Sequence, residues 1–356
     1  MLIRPRALLR TRLMSNCMVI RNDSSPRPLA LARPFTFHKS KRAPFVHFVL
    51  SNGAYPPVLK ARQKQKQSCV YMVQERFSSA SAMSNLDYQL EENLSRPPRK
   101  RHLCYYYSQG LCTLENDPNH LEKFTHDYPD LSVGSLELKK LQPQPFQYYL
   151  VLDLEGMVEI LEFPVVMIDT TTLKVVDRFH RFVRPIKMSE ARIDEYIEGK
   201  YGRWGLDRVW HDTAIPFTKV LKQFEHWMAK HGIWDARQDC KLKHAAFVTC
   251  GNWDVKTKIP QQCATSSISL PTYFFEWVNL KDIYLNFYQR RAGGMLAMLR
   301  GLQIPMAGTH HVGLDDAHNI ARVLQRIIID GGVVKITAKR SVKNPSEVKF
   351  RFKNRV

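Results

Sequence analysis

Two carboxylates, Asp153 and Glu155, stand two residues apart inside the apolar stretch YYLVLDLEGMVEILEFPVV, residues 148–166. Along a strand, residues two apart share a face, so these acids point together. Like charges held that close need a cation between them, or one must stay protonated. Two more acids fall at informative places: Asp254 at the end of HAAFVTCGNWD, and Asp316 at the start of DAHNIARVLQRIIIDGG. Clustered carboxylates suit hard cations such as Mg²⁺ or Mn²⁺. Two such ions, about 3.5–4 Å apart, can activate a water and stabilise the leaving oxygen of a phosphodiester. His311 lies five residues before Asp316 on a Gly-flanked loop. Its ordinary pKa near neutrality suits it to take a proton from the attacking water.

These residues must be brought together by a mixed α/β unit. The pattern from 147 onward predicts strands at about 148–154, 163–169 and 174–182, with helices alternating later. FTKVLKQFEHWMAKHG spaces Val220, Leu221, Phe224, Trp227 and Met228 as the apolar stripe of a helix that stops at Gly232. A strand pair, a strand terminus and a helix start can converge at one edge of such a sheet. Asp315 beside Asp316 reads as a helix cap, and His310, six residues before Asp316, competes with His311; the five-residue step from His311 favours Asp316. Glu159, Glu162 and Asp169 fit solvated or turn positions. Trp210 and Trp253 are core residues or base-stacking platforms. The basic segment 334–356 is an edge strand or unordered.

A second constellation precedes this unit. Cys104, Cys112, His120 and His126 follow the pattern C-x7-C-x7-H-x5-H within residues 98–130. Two thiolates and two imidazoles satisfy tetrahedral Zn²⁺. So short a span folds only weakly without such an ion. The cluster resembles small fingers that bind RNA or poly(ADP-ribose), especially in its C-T-x-E-N-D-P-N-H-x-x-x-F-x-H portion. Cys240, Cys250 and Cys263 show no metal spacing and read as buried thiols.

The net charge is +20, and its excess is concentrated at the N-terminus: residues 1–86 hold 15 Lys and Arg against two acids, Asp23 and Glu75. That segment is rich in Arg, Ser and Pro, the makeup of an organelle transit peptide, with a disordered basic tail that holds RNA loosely as the alternative. The basic excess is a solvated surface or fits a polyanionic partner such as nucleic acid. No stretch approaches the 18 or so apolar residues of a membrane span. The odd count of seven Cys favours reduced thiols.

The order D-L-E, G-N-W-D and H-x-G-L-D-D-x-x-N-I-A-R resembles the DEDDh group of 3′-to-5′ exonucleases across residues 145–333. EILEFPVVMID and HHVGLDDAHNIARV are most similar to its Eri-type exoribonucleases, in particular plant organellar members. The resemblance implies an RNase H-like fold, with Asp153, Glu155, Asp254 and Asp316 as the metal-binding carboxylates and His311 as general base. It further implies that Glu155, Gly156 and His311 touch the terminal nucleotide. Many relatives carry Ala or Thr where this chain has Gly156. The activity implied is two-metal trimming of single-stranded RNA 3′ ends, on ribosomal or small RNA precursors in a chloroplast, or alternatively a mitochondrion. DNA 3′ trimming, or RNA binding by a silent nuclease fold, are the competing functions.

Overall fold

A computed structural model describes residues 101–128, 131–237 and 241–356. The basic segment 1–86, with its targeting reading, and Cys240 lie outside the described residues. Residues 99–356 cluster as one compact unit, so the Cys/His module and the C-terminal segment are parts of the same body as the α/β unit.

The module contributes strands β1 (His102–Leu103) and β2 (Phe124–Thr125), with the short helix α1 (Pro118–Lys123) before β2. The main sheet follows with β3 (Tyr148–Leu152), β4 (Glu162–Asp169) and β5 (Val175–Arg184). Next come α2 (Glu190–Tyr201), α3 (Asp207–Thr213), β6 (Ile215–Pro216) and α4 (Phe217–Lys230). Strand β7 (Ala245–Thr249) leads through a π-helical turn (Asp254–Lys258) into α5 (Ile259–Thr265) and then β8 (Glu276–Asn279). Helices α6 (Leu280–Tyr288), α7 (Met295–Gly301) and α8 (Gly313–Ile329) precede the closing strands β9 (Ala338–Arg340) and β10 (Val348–Phe350).

The sheet order is β10-β9-β8-β7-β3-β4-β5-β6. Strand β3 sits in its middle, antiparallel to β4 and parallel to β7. Alternation along β3 explains why YYLVL is apolar throughout: Tyr149 and Val151 face one helical layer, while Leu150 and Leu152 face the other. The first layer holds α2, α3, α6, α7 and α8, and the second holds α4 and α5. In α4 the predicted stripe is buried, with Phe224 wholly enclosed among Phe163, Phe179 and Phe247. Helix α8 is buried along its length except at Arg326 and Ile329.

One boundary differs from the sequence expectation, and one open alternative is decided. Strand β3 ends at Leu152, because the chain turns away at Gly156 and only an isolated bridge, Glu155 to Glu162, continues the pairing. The C-terminal segment is an ordered edge: β9 pairs with β8, β10 pairs with β9, and Tyr149 Oη donates to the Val334 carbonyl at 2.5 Å. Trp210 is core, fully buried with its indole N–H on the Leu161 carbonyl, whereas Trp253 is 47% exposed. Cys263 is buried and Cys250 half-buried. Among the described residues no helix is long and apolar enough to cross a membrane.

Candidate active site

The parallel register Val151↔Val248 brings the C-terminal ends of β3 and β7 to the same sheet edge. Asp153 keeps the parity of Tyr149 and Val151, so it leans toward the layer that contains α8. That helix begins at Gly313, whose missing side chain matters. A Cβ there would lie 2.9 Å from the Asp153 carbonyl and 3.0 Å from Glu155 Cγ. The close approach delivers Asp316, in the first turn of α8, to the two strand-end acids. Ligand oxygens of Asp153, Glu155 and Asp316 lie within 4.8 Å of one another. Asp254 stays outside that group; it is buried near Asp153, whose carboxyl feels its charge, and accepts the Leu154 N–H at 3.1 Å.

Crowding shows in the electrostatics. Burial drives the Asp153 carboxyl well above the usual carboxylate range, and the charges of Asp254, Asp316 and Glu155 push it further. Burial likewise lifts Glu155 to about 7, even against the opposing Lys200 ammonium. Asp254 rises to about 6 through burial, opposed by the Leu154 N–H. Such a set is uncomfortable as free anions and comfortable around a hard cation. The donors are all oxygens, which fits Mg²⁺ or Mn²⁺. Asp153, Glu155 and Asp316 would hold the ion, with Asp254 on the Asp153 flank.

The two histidines divide their roles. His310 Nδ1 lies 2.9 and 3.1 Å from the Asp316 carboxylate oxygens. His311 instead gives its backbone N–H to Asp316 Oδ2 at 2.9 Å, with φ of 67°. Its ring is exposed, stacks on His310 at 3.8 Å, and has a nitrogen within 4.8 Å of Asp316. Partial burial and the neighbouring His310 lower its pKa, keeping the imidazole neutral and able to accept a proton. Lys200, at the end of α2, bonds Glu155 Oε2 at 2.7 Å and the His311 carbonyl at 3.0 Å.

A protein-family profile described as Exonuclease matches residues 149–324. An exonuclease domain-containing protein of Arabidopsis thaliana is 56% identical over 263 residues, covering 74% of this chain and 78% of that protein. The chain belongs to the exonuclease family. ERI1 exoribonuclease 3 of Homo sapiens is 30% identical over 208 residues, 55% of this chain and 58% of that protein. The 3′-5′ exoribonuclease 1 of Rattus norvegicus is 28% identical, with 89% and 88% covered. A solved structure of the nuclease domain of 3′hExo, a DEDDh family member bound to rAMP, matches at 30% identity and TM-score 0.47. It covers 55% of this chain and 98% of that one.

In this exonuclease, Glu162 and Glu159 correct the sequence expectation, because both are buried. Glu162 accepts the N–H groups of Gly313 and Leu314 at 3.0 and 2.9 Å, Tyr201 Oη at 3.0 Å, and His180 Nε2 at 3.1 Å. Burial alone would raise its pKa, yet His180 and the two helix N–H groups outweigh that and hold it low. The free N–H groups and positive dipole end of α8 supply the reason. Glu159 accepts the N–H groups of Ile186 and Lys187. Asp169 does hold a turn, capping Thr171 and Thr172. Sequence reasoning missed Lys200, and it weighed His310 only as a rival to His311, not as the partner of Asp316. The His-His pair signalled the second, and nothing local signalled the first.

The Cys/His residues gather in the same body. The parallel register Leu103↔Thr125 sets Cys104 beside His126. Asp117 caps α1 through the His120 N–H at 2.8 Å. Cys112 Sγ lies 3.7 Å from His120 Nε2 and 3.8 Å from His126 Nε2, and the two imidazole nitrogens are 3.3 Å apart. All four ligand atoms fall within 4.8 Å of one another. Burial pushes the Cys104 thiol up to about 11.

Gly156 has φ of 130°, and a Cβ there would meet the Glu159 carbonyl at 2.0 Å. Gly156→Ala is therefore expected to destabilise the fold by about 1–3 kcal/mol, the cost of a strained backbone position, and to displace Glu155. Denaturant melts paired with a nuclease assay check this. Wild-type stability in the variant would show that the turn tolerates a side chain.

Proposed function

We propose that this exonuclease is a metal-dependent enzyme that removes nucleotides from single-stranded RNA 3′ ends. The observation that carries the reading is the convergence of Asp153, Glu155 and Asp316 within 4.8 Å beside an exposed His311, in a chain whose relatives are 3′-5′ exoribonucleases. As a 3′-to-5′ exoribonuclease hydrolase it breaks the last phosphodiester bond with water. Asp153, Glu155, Asp254 and Asp316 hold the divalent ions, which supply an activated water and neutralise the leaving oxygen when bound. The His311 ring accepts the proton of the attacking water. Glu155, Gly156 and His311 receive the terminal nucleotide.

A groove of about 1510 Å³ between the Cys/His module and the 305–311 loop reaches His310 and His311, and Arg101, Arg203, Trp204 and Arg208 also line it. The Arg203 guanidinium sits 4.5 Å from the Trp204 ring centre, and Trp204 is 40% exposed. Arginines for phosphates beside an aromatic face for bases suit a single strand read without sequence preference. Trp253, exposed beside Asp254, is a second such face.

Zn²⁺ suits the Cys104, Cys112, His120 and His126 cluster. A tetrahedral ion about 2.05 Å from nitrogen and about 2.3 Å from sulfur requires an N–N edge of about 3.3 Å and N–S edges of about 3.6 Å. The observed 3.3, 3.7 and 3.8 Å match that figure closely. The Arg-rich, acid-poor composition of residues 1–86 supports import into a chloroplast, where ribosomal or small RNA precursors would be substrates.

With 3′-labelled single-stranded RNA and Mg²⁺, the protein is expected to release single nucleotides, and Asp153→Asn to lose about 100-fold or more of the rate, beyond the usual cost of a metal's supporting residue. Equal trimming of DNA would reassign the substrate, while no trimming of either polymer would leave a binding protein. Metal analysis of the purified chain is expected to give one zinc per molecule, lost in Cys112→Ser. A fluorescent reporter behind residues 1–86 is expected to concentrate in plastids, and a diffuse cytosolic signal would remove the import claim.

A further inference from the structure

The loop between the first two ligands of the Cys/His cluster, residues 105–111, is built into the nuclease centre. Tyr105 is buried, and its Oη donates to Asp315 Oδ2 at 2.8 Å. The same oxygen accepts the Thr309 N–H at 2.6 Å. One carboxylate, adjacent in sequence to Asp316, thus joins the module to the start of the loop that carries His311. The approach is close because Gly308, with φ of 68°, has no Cβ: one would stand 2.3 Å from Asp315 Oδ2.

A second chain of contacts runs beside the first. Ser108 Oγ lies 2.7 Å from His180 Nδ1, and the opposite nitrogen of that ring lies 3.1 Å from Glu162, which caps α8. Gln109 closes the loop, donating to the Tyr105 carbonyl at 2.9 Å and to Thr213 Oγ1 at 3.0 Å. Beyond the last ligand, Tyr128 stacks on His318 of α8 at 4.0 Å. The module therefore grips the first two turns of the helix that presents Asp316, through residues on either side of its ligand set.

We infer that the Cys/His module is a metal-set brace for the nuclease centre, with Tyr105 and Ser108 as positioning residues that fix the 309–316 segment through Asp315 and through His180–Glu162. This rests on the exonuclease and zinc readings above. An ion on Cys104 and Cys112 pins both ends of the 105–111 loop, so the loop's grip on Asp315 and His180 depends on that ion. A hydrogen-bonding partner one step behind a metal ligand commonly matters about 10–100-fold for activity; Tyr105 stands one step further back, behind Asp315 rather than Asp316, so the lower end of that range, about 10-fold, is its expected effect.

The test uses the full chain. Tyr105→Phe is expected to keep its zinc, keep KM for RNA within about twofold and lower kcat by about 10-fold, with Ser108→Ala showing a smaller loss of the same kind. Hydrogen–deuterium exchange supplies a readout independent of activity: stripping zinc with a thiophilic chelator is expected to speed exchange of the 309–316 amides at least tenfold. Unchanged kcat in Tyr105→Phe, a rise in KM alone, or unchanged exchange on zinc removal would each overturn the brace. A wild-type protein without zinc overturns the zinc reading, and inactive wild-type protein overturns the exonuclease reading. Zinc content, wild-type turnover and the Tyr105→Phe result are separate measurements, so the three failures are distinguishable.

Discussion

The geometry of the centre depends on how a fully enclosed carboxylate, Glu162, is satisfied. It sits on β4 in an apolar layer, where an unpaired charge would cost several kcal/mol. Four donors meet it: two backbone N–H groups at the start of α8, the Tyr201 hydroxyl and the His180 ring. Because the partners come from a helix terminus, two side chains and no solvent, any slide of α8 along the sheet leaves the charge unpaired. The registry of α8 on β4 is thereby fixed, and with it the placing of Asp316 against Asp153 and Glu155. Breaking a buried pair from one side typically costs more than the pair contributes to stability.

The clustered acids at the sheet edge are held in an opposite way. Asp153, Glu155 and Asp254 are all pushed toward protonation by burial, and partial relief comes from Lys200 on Glu155. His310 relieves Asp316 in the same manner. The centre is thus strained by like charge, while its support is satisfied by hydrogen bonds. Lys200 lies where it both neutralises Glu155 and holds the His311 carbonyl. A divalent cation on Glu155, as proposed, would compete with the Lys200 ammonium for the same carboxylate and so couple metal affinity to the end of α2.

Much of this could be read from the residues themselves. Asp153 and Glu155 were legible because two acids in an apolar strand have few uses, and Asp316 because of its fixed step from His311. The apolar stripe of α4 was legible because its period matches a helix. Other parts left no local trace. Lys200 meets Glu155 across 45 positions of chain, and Tyr105 meets Asp315 across 210. Glu162 looked like a turn residue because a helix N-terminus 151 positions away, which makes its burial tolerable, has no signature in EILEFP. Strand β3 stops two residues short of the expected Leu154 because Gly156, whose sequence signal is closeness to a nucleotide, also carries the backbone turn.

Close backbone approach links these observations. Gly156, Gly308 and Gly313 each stand where a Cβ would press on a group that shapes the centre: the Glu159 carbonyl, the Asp315 carboxylate and the Asp153 carbonyl. Interiors packed at crystalline density pass such displacements on to their neighbours. A methyl group at any of the three would thus act on an acid it does not replace. The far edge of the sheet is different in kind. Strand β10 is short and partly exposed, and it carries Lys349 on its exposed face, a feature that discourages further strand pairing. Substitution there perturbs an edge, whereas substitution at the three glycines moves the helix, the turn or the loop from which the carboxylates and His311 project.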